Sequence, residues 1–114
     1  NSCNIQSVKP VKFLATSREE LLAFPQTMRS EVGQALYLLQ EGGEPEDFKP
    51  MTTVGAGAYE LRVRDRNGAY RVIHVAKFKS AIYVLHAFQK KTQQTAQSDL
   101  ALAGKRYRSI EEIS

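Results

Sequence analysis

The stretch AYELRVRDRNGAYRVIHVAKF, residues 58–78, predicts two β-strands joined by a tight turn. Apolar and polar side chains alternate on both sides of Asn67-Gly68. This dipeptide favours a two-residue type I′ hairpin, in which both central residues need positive φ. A third strand-like segment, AIYVLHAF at residues 81–88, follows Lys79-Ser80. The three segments together predict an antiparallel meander.

A turn at Asn67-Gly68 determines which residues face each other on the first two strands. The predicted pairs are Asp65 with Tyr70, Arg64 with Arg71, Arg62 with Ile73, and Leu61 with His74. Because side chains alternate between faces, one face is predicted to be apolar and to pack against helices: Tyr59, Leu61, Val63, Tyr70, Val72, His74 and Ala76. The other face is predicted to carry Glu60, Arg62, Arg64, Arg71 and Lys77.

The predicted pair of Arg64 and Arg71 places like charges opposite each other, which destabilises a sheet. A bound anion between the two guanidinium groups would relieve the repulsion. The alternative is a solvated outer face on which the long side chains spread apart. The clustering with Lys77, Lys79, Lys90 and Lys91 makes the solvated face a weaker alternative.

A two-residue loop at Lys79-Ser80 predicts the register of the third strand. The predicted pairs are Phe78 with Ala81, Ala76 with Tyr83, and Ile73 with His86. His86 would then lie on the basic face, diagonal to Arg71, whereas His74 would lie in the core with a structural role. A change of one residue in the loop would move the last strand's side chains to the opposite faces.

The residues before the meander predict an edge strand and two helices. VKFL at residues 11–14 is short and β-prone, and Ser17 and Glu20 have the spacing of a capping box. A short helix should follow, and a second helix with Pro25 in its first turn should end at Gly42-Gly43. The apolar positions of these two helices are Leu21, Leu22, Phe24, Val32, Leu36 and Leu39.

A long connection, residues 43–57, precedes the meander, and a third helix is predicted after it. Phe48 and Met51 are expected to pin the connection to the core. Thr92 or Thr95 is expected to cap the third helix, which would carry Ala96, Leu100 and Ala103 on one face. Gly104 is expected to end it, leaving a basic tail at residues 105–108.

This order of elements predicts an α+β domain with its helices packed on one face of the sheet. An N-terminal strand and two helices are followed by a three-stranded antiparallel meander and a C-terminal helix. The 114 residues are expected to form one domain, 1–114, with residues 1–9 flexible. The chain begins with Asn1 rather than Met, which leaves open whether the first residues are native.

Charge and cysteine content narrow the classes of function. Residues 58–91 hold eight of the sixteen Lys and Arg residues but two of the twelve acids, and the whole chain has a net charge of +4. A basic sheet face favours an extended polyanion as partner. The single Cys3 rules out an intramolecular disulfide and a cysteine-rich metal site. The single cysteine also favours a reducing, cytoplasmic setting. No apolar run approaches the length of a membrane span, and residues 1–10 lack the apolar core of a signal peptide.

Four stretches together resemble the RelE/ParE superfamily of toxins from toxin-antitoxin systems, and in particular its HigB-like, phage-derived branch. They are FKPM (48–51) followed by GAYELR (57–62), YRVI (70–73), LHAF (85–88), and QKKT (89–92) leading into the last helix. The likeness covers residues 10–108 and depends on the order and spacing of the stretches. It implies a RelE-like fold, a basic sheet face that binds messenger RNA in the ribosomal decoding site, and a helix-turn-helix, HigA-like antitoxin as partner.

The resemblance also implies cleavage without a metal or another cofactor, through attack of the ribose 2′-OH on the adjacent phosphate. Arg71 matches the sheet arginine that stabilises the transition state in that family, and Arg62 matches a basic residue beside it. Glu60 and His86 are candidate bases, and Lys91 or His86 is a candidate acid. The candidate RNA contacts are Arg64, Lys77, Lys79, Lys90, Lys105, Arg106 and Arg108.

Two departures from the family pattern leave the base and the acid unassigned. Glu60 occupies a position where some relatives have a second basic residue, and the tyrosine in the last helix of RelE has no clear match here. A ParE-type inhibitor of DNA gyrase on the same fold, and a non-catalytic nucleic-acid-binding domain, are the alternatives to a messenger RNA endonuclease.

Overall fold

A computed structural model describes residues 9–91 and 95–110 of the chain. In this part of the chain the elements are β1 (Val11–Phe13), α1 (Ser17–Leu22), α2 (Gln26–Gln40), β2 (Phe48–Pro50), β3 (Ala58–Asp65), β4 (Gly68–Val75), β5 (Ile82–Lys90) and α3 (Gln97–Arg108). The sheet order is β1-β5-β4-β3-β2, with β1 parallel to β5 and the other neighbours antiparallel. The predicted α+β class and the edge strand β1 are confirmed, whereas the predicted three-stranded arrangement is matched only in part, because β3, β4 and β5 lie in a five-stranded sheet.

The connection before the meander contains a strand, β2, that sequence reasoning did not predict. Phe48 pairs with Leu61 and Pro50 with Tyr59, so β2 adds a fifth strand at the far edge of the sheet. Proline lacks a backbone N–H and is tolerated in an edge strand, where no second neighbour needs that donor. Met51 is buried, as predicted.

The β3-β4 register is shifted by two residues from the prediction. Asp65 pairs with Gly68, so the turn is centred on Arg66-Asn67, and Arg62 rather than Arg64 lies opposite Arg71. The Asp65 carboxylate accepts the N–H groups of Asn67 and Gly68 at 2.8 and 3.1 Å, which stabilises the displaced turn. A shift of two residues leaves every side chain on its predicted face.

The connection between β4 and β5 is longer than predicted, and a β-bulge compensates for the difference. Val75 pairs with Tyr83, so the predicted pairs of Ala76 with Tyr83 and Phe78 with Ala81 are wrong. The Lys9 ammonium binds the carbonyls of Ala76 and Phe78, each at 2.7 Å, so these acceptors serve a side chain instead of the ladder. The register changes between Ile73 and His74, and Ile73 therefore pairs with His86 as predicted.

Helices cover both faces of the sheet, which contradicts the predicted single helical layer. α1 and α2 cover the apolar face, where Met28, Val32, Leu61, Val72 and Val84 are buried in one core. α3 lies on the other face, where a second core contains Ile73, Val75, Leu85, Ala103 and Tyr107. The predicted basic face is therefore half apolar. α3 covers that apolar part and leaves the end nearest the β3-β4 turn for charged residues.

The helix ends agree only partly with the sequence signals. α2 ends at Gly42-Gly43 as predicted, with Gly42 at φ +93° and the Gly43 N–H bound to the Leu38 carbonyl at 2.9 Å. The predicted capping box is absent, because the buried Ser17 hydroxyl donates to the Val84 carbonyl at 3.1 Å.

α3 also differs from its prediction. It continues through Gly104 to Arg108, because Ala103 and Tyr107 pack against the sheet and outweigh the weak helix propensity of one glycine. Thr95 does not cap it; the preceding residue is Ala96, without a side-chain cap. The alternative cap Thr92 and the predicted flexible residues 1–8 lie outside the described residues, whereas Lys9 is held by its bonds to the β4-β5 connection. None of the described helices is long and apolar enough to cross a bilayer.

Burial of His74 makes the stability of the folded protein depend on pH. Desolvation lowers the pKa of His74 to about 4, although a contact with the Val72 carbonyl partly opposes it. A histidine with a lower pKa in the folded state binds its proton first in the unfolded chain, so stability is full above the unfolded pKa of about 6.5 and falls as the pH drops toward 4. We expect the free energy of unfolding to fall by about 2 kcal/mol between pH 7 and pH 5. Urea unfolding of wild type and His74→Leu checks this, and parallel pH profiles of the two proteins would contradict it.

Candidate functional site

Two arginines, Arg62 on β3 and Arg71 on β4, lie directly opposite each other at the uncovered end of the α3 face. The Arg71 side chain is 7% exposed and that of Arg62 is 36% exposed. Both Nε atoms are buried, and neither has a hydrogen-bond partner among the described residues. Buried donors without partners are rare, and guanidinium groups bind phosphate and carboxylate oxygens strongly. The pair therefore has the chemistry of an oxyanion site.

A carboxylate lies beside each of the two arginines. Arg71 Nε is 3.4 Å from Glu60 Oε1, and Arg62 Nε is 3.7 Å from Asp47 Oδ1. Glu60 is buried, and its other oxygen accepts the Thr95 hydroxyl at 2.8 Å. Burial lowers the pKa of Arg71 and the Glu60 charge partly offsets this effect, but a guanidinium remains protonated in proteins. Glu60 thus compensates a buried cation.

Arg62 lines three adjoining spaces, and two of them also contain Arg71 or its partner Glu60. A cleft of about 70 Å³ is lined by Asp47, Arg62, Val63, Arg64, Ala69 and Arg71. A neighbouring cavity of about 280 Å³ is lined by Lys49, Met51, Glu60, Arg62, Lys90, Thr95, Gln97 and Leu100. The cleft has room for one small anion, and the cavity has room for a larger group attached to it. A larger cavity of about 500 Å³ between α2 and β3 is lined by Arg62 and Asp47 but not by Arg71, and a cavity of about 470 Å³ near Leu39 contains neither arginine.

Lys90 and Lys49 bring further positive charge to the cavity. Lys90 lies on β5 opposite Ala69 of β4. Desolvation, followed by the charges of Arg71 and Arg62, lowers the pKa of Lys90, which makes its ammonium a readier proton donor. Lys49 was missed by sequence reasoning because it belongs to the unpredicted strand β2. Asp47 and Thr95 were missed as site residues because only tertiary contacts bring them to the arginines.

His86 lies beneath α3 and not on an open surface. Its Nδ1 is 2.8 Å from Glu20 Oε1, its Nε2 is 2.7 Å from Asp99 Oδ1, and its ring stacks on Phe88. Both ring nitrogens are therefore occupied by carboxylates, and neither is free to exchange a proton with a substrate. The predicted pairing with Ile73 is correct, but α3 buries His86 and binds it through Asp99.

Arg106 belongs to the same buried cluster, so its prediction as an RNA contact is wrong. Its guanidinium donates to Glu20 Oε1 at 3.0 Å, the Leu85 carbonyl at 2.9 Å and the Thr16 hydroxyl at 3.0 Å. Burial alone would raise the pKa of Glu20, but hydrogen bonds from Arg106, His86 and the backbone lower it to about 2. The cluster joins α1, β5 and α3.

The other predicted contacts are exposed but scattered over the surface. Arg64 lines the cleft, and Lys91 directly follows Lys90 at the end of β5. Lys105 and Arg108 lie on the last turns of α3. Lys77 and Lys79 lie in the β4-β5 connection, at the opposite end of the sheet from the β3-β4 turn, so they do not join the arginines. Within the described ranges, no group of three or more His, Cys, Asp or Glu side chains could hold a metal ion.

Comparisons with known proteins agree with the fold. The family model for phage-derived Gp49-like proteins (DUF891) matches residues 19–108. Among solved structures, the chain is similar to the Escherichia coli toxin RelE in the free state, in a mutant with two arginine-to-alanine substitutions; identity is 15%, the TM-score is 0.62, and the match covers 90% of this chain and 98% of that one. No curated protein matches the chain. At this identity the structural likeness concerns the fold, and the predicted RelE-like fold is confirmed.

The buried cluster predicts that His86 contributes mainly to stability. In His86→Gln the side chain can bind one of the two carboxylates but not both. We expect the free energy of unfolding to fall by about 1 to 2 kcal/mol, because one of the two partly exposed carboxylates loses its hydrogen bond to the ring. Thermal unfolding measures the change, with Lys105→Gln as an exposed control on α3. Equal melting temperatures for His86→Gln and wild type would contradict a structural role.

Proposed function

This chain belongs to the family of phage-derived Gp49-like proteins and has the RelE fold, and from this we propose that it is the toxin of a type II toxin-antitoxin system, an endoribonuclease that cleaves messenger RNA on the ribosome. The observation that carries the proposal is the opposed pair Arg62 and Arg71 with their buried, unpartnered Nε atoms. A phosphodiester in the adjacent cleft would supply the missing acceptors. We propose the cytoplasm as its place of action, because ribosomes work there.

The residues at the site support cleavage through the ribose 2′-OH. The hydroxyl oxygen attacks the neighbouring phosphorus while its proton passes to a base, and the bond to the 5′-oxygen breaks as that oxygen takes up a proton. The products are a 2′,3′-cyclic phosphate and a 5′-hydroxyl. No redox step or added cofactor is needed to balance this reaction.

Four side chains fit the roles that this reaction requires. Arg71 and Arg62 stabilise the negative charge that grows on the phosphorane oxygens. Glu60 lines the cavity beside Arg71 and is the carboxylate best placed to take the 2′-OH proton. Lys90 is placed to protonate the leaving oxygen, because it lines the same cavity and its pKa is lowered; the neighbouring Lys91 is the second candidate acid. His86 is not proposed as base or acid, since both its nitrogens are held by carboxylates.

The ribosome would supply what this set of groups lacks. Glu60 shares its charge with Arg71 and a hydrogen bond with Thr95, which weakens it as a base. Holding the 2′-OH in line with its phosphate can contribute several kcal/mol, and the ribosomal decoding site can impose that geometry on a codon. Ribosomal RNA phosphates can also bind Arg64, Lys91, Lys105 and Arg108, with an affinity that falls as salt rises. A helix-turn-helix antitoxin of the HigA-like kind is the proposed partner that neutralises the toxin.

Replacement of Arg71 tests the catalytic site. We expect Arg71→Ala to lower the cleavage rate on the order of 100-fold, because it removes a stabiliser of the phosphorane. Arg62→Ala should have a smaller effect, since this side chain is more exposed. Single-turnover cleavage of a programmed message on purified ribosomes is the measurement, with Arg66→Ala in the β3-β4 turn as the matched control.

A second variant distinguishes a loss of catalysis from a loss of folding. Arg71→Ala leaves the buried Glu60 without its cation, so Arg71→Lys, which preserves the charge but not the planar fork, is tested in parallel with thermal unfolding. A folded Arg71→Ala protein with the wild-type rate would reject the assignment of Arg71.

Ribosome dependence separates the proposed function from its two alternatives. We expect the purified protein to cut naked RNA slowly or not at all, and to cut messenger RNA on ribosomes with a free A site. Mapping of transcript ends with and without ribosomes measures this. Equal cleavage of naked and ribosome-bound message would reject the dependence. Loss of gyrase supercoiling without RNA cleavage would favour the gyrase inhibitor, and RNA binding without either activity would favour the non-catalytic domain.

A further inference from the structure

Asp47 is fixed beside Arg62 by the backbone of the sheet. It directly precedes β2, and its carbonyl accepts the Arg62 N–H at 3.1 Å. This bond extends the β2-β3 pairing by one residue and thereby fixes the backbone position of Asp47 opposite Arg62. The carboxylate then lies 3.7 Å from Arg62 Nε. The position of the acid is therefore a consequence of strand pairing and not of a chance encounter on the surface.

The Asp47-Arg62 pair is close enough for ionic attraction but does not satisfy the guanidinium. Arg62 Nε has no hydrogen-bond partner among the described residues, and 3.7 Å is too long for a hydrogen bond. The Asp47 side chain is 62% exposed, and ion pairs at such exposed positions are weak. A phosphate oxygen that bonds directly to the guanidinium can therefore displace the carboxylate.

Asp47 occupies the cleft in which we place the phosphate. Of the described residues that line this cleft, Asp47 carries the negative charge and Arg62, Arg64 and Arg71 carry the positive charge. An anion that enters meets both the attraction of three guanidinium groups and the repulsion of one carboxylate. The affinity of the cleft for phosphate is thus the difference between two opposing effects.

We propose that Asp47 is a resident competitor for phosphate at Arg62, which lowers the affinity of the cleft for phosphodiesters of RNA; the inference rests on the proposed ribonuclease function. Asp47 is in this sense an affinity-determining residue and not a catalytic one. It makes binding of free RNA weak, so that productive binding needs the additional contacts of a larger surface. It also helps the product phosphate to leave Arg62.

Isosteric removal of the charge tests this proposal. In Asp47→Asn the backbone bond to Arg62 is kept and only the charge is lost. We expect a single-stranded, 2′-O-methylated 12-nucleotide RNA, which cannot be cleaved, to bind about fivefold more tightly, as expected for one unit charge at about 4 Å in water. Fluorescence anisotropy across a KCl series measures the dissociation constants. The slope of log affinity against log salt should steepen by about 0.7, because one more phosphate contact forms.

Two matched controls separate local competition from general charge. Glu46→Gln makes the same charge change at the neighbouring exposed residue, which lines the adjoining 500 Å³ cavity but not the cleft, and should change the affinity less than about twofold. In an Arg62→Ala background, Asp47→Asn should give no more than the Glu46→Gln effect, because the competitor has lost its target. Equal gains for Asp47→Asn and Glu46→Gln, or an undiminished gain without Arg62, would overturn the proposal.

Inorganic phosphate gives a readout that does not depend on RNA. Titration of phosphate, followed by NMR of the arginine Nε–H signals, should show tighter binding in Asp47→Asn than in wild type or Glu46→Gln. If messenger RNA on ribosomes with a free A site is not cleaved, the proposed ribonuclease function is contradicted, whereas the phosphate titration still decides whether Asp47 competes at Arg62. An unchanged phosphate affinity in Asp47→Asn would overturn the competitor role.

Discussion

Two guanidinium groups face each other across β3 and β4, and the local structure around them compensates their repulsion. Arg62 and Arg71 are directly paired, a position at which like charges destabilise a sheet. The compensation comes from Glu60 behind Arg71 and Asp47 beside Arg62, each supplied by a neighbouring part of the chain. Neither carboxylate forms a hydrogen bond to the adjacent Nε atom, so both donors stay available to an anion. The sheet therefore tolerates the pair and keeps its binding capacity.

The division of the basic face into a covered and an uncovered part creates the site. Ile73, Val75 and Leu85 need an apolar cover, and α3 provides it through Ala103 and Tyr107. Where α3 begins, Thr95 contacts Glu60 and thereby closes one side of the cavity beside Arg62. The cleft and the cavity thus exist because α3 covers the apolar half of this sheet face and leaves the charged residues around Arg62 uncovered.

A buried polar cluster holds that helix in place. Glu20 of α1, His86 of β5, and Asp99 and Arg106 of α3 are joined by hydrogen bonds of 2.7 to 3.0 Å. Charged groups with such bonds orient the elements that carry them, since any displacement would leave a buried charge without its partner. The polar groups of the cluster find their hydrogen-bond partners within the protein. The Nε–H groups of the arginine pair have no such partners and can bind an anion.

The sequence by itself determined the alternation of side chains, and with it the membership of each sheet face. The two-residue shift of the β3-β4 register left this membership unchanged, because the period of a strand is two, so Arg62 and Arg71 were assigned correctly to one face. The end of α2 was also predictable from local signals, whereas the pairing of Ile73 with His86 agrees with its prediction only because a β-bulge offsets the longer β4-β5 connection. Tertiary structure decided what covers each face and which charges are left to bind a ligand. Composition could not distinguish the buried Arg106 from the exposed Lys105, or predict that Asp47 meets Arg62, because these contacts join residues that are distant in the chain and depend on how α3 and β2 dock.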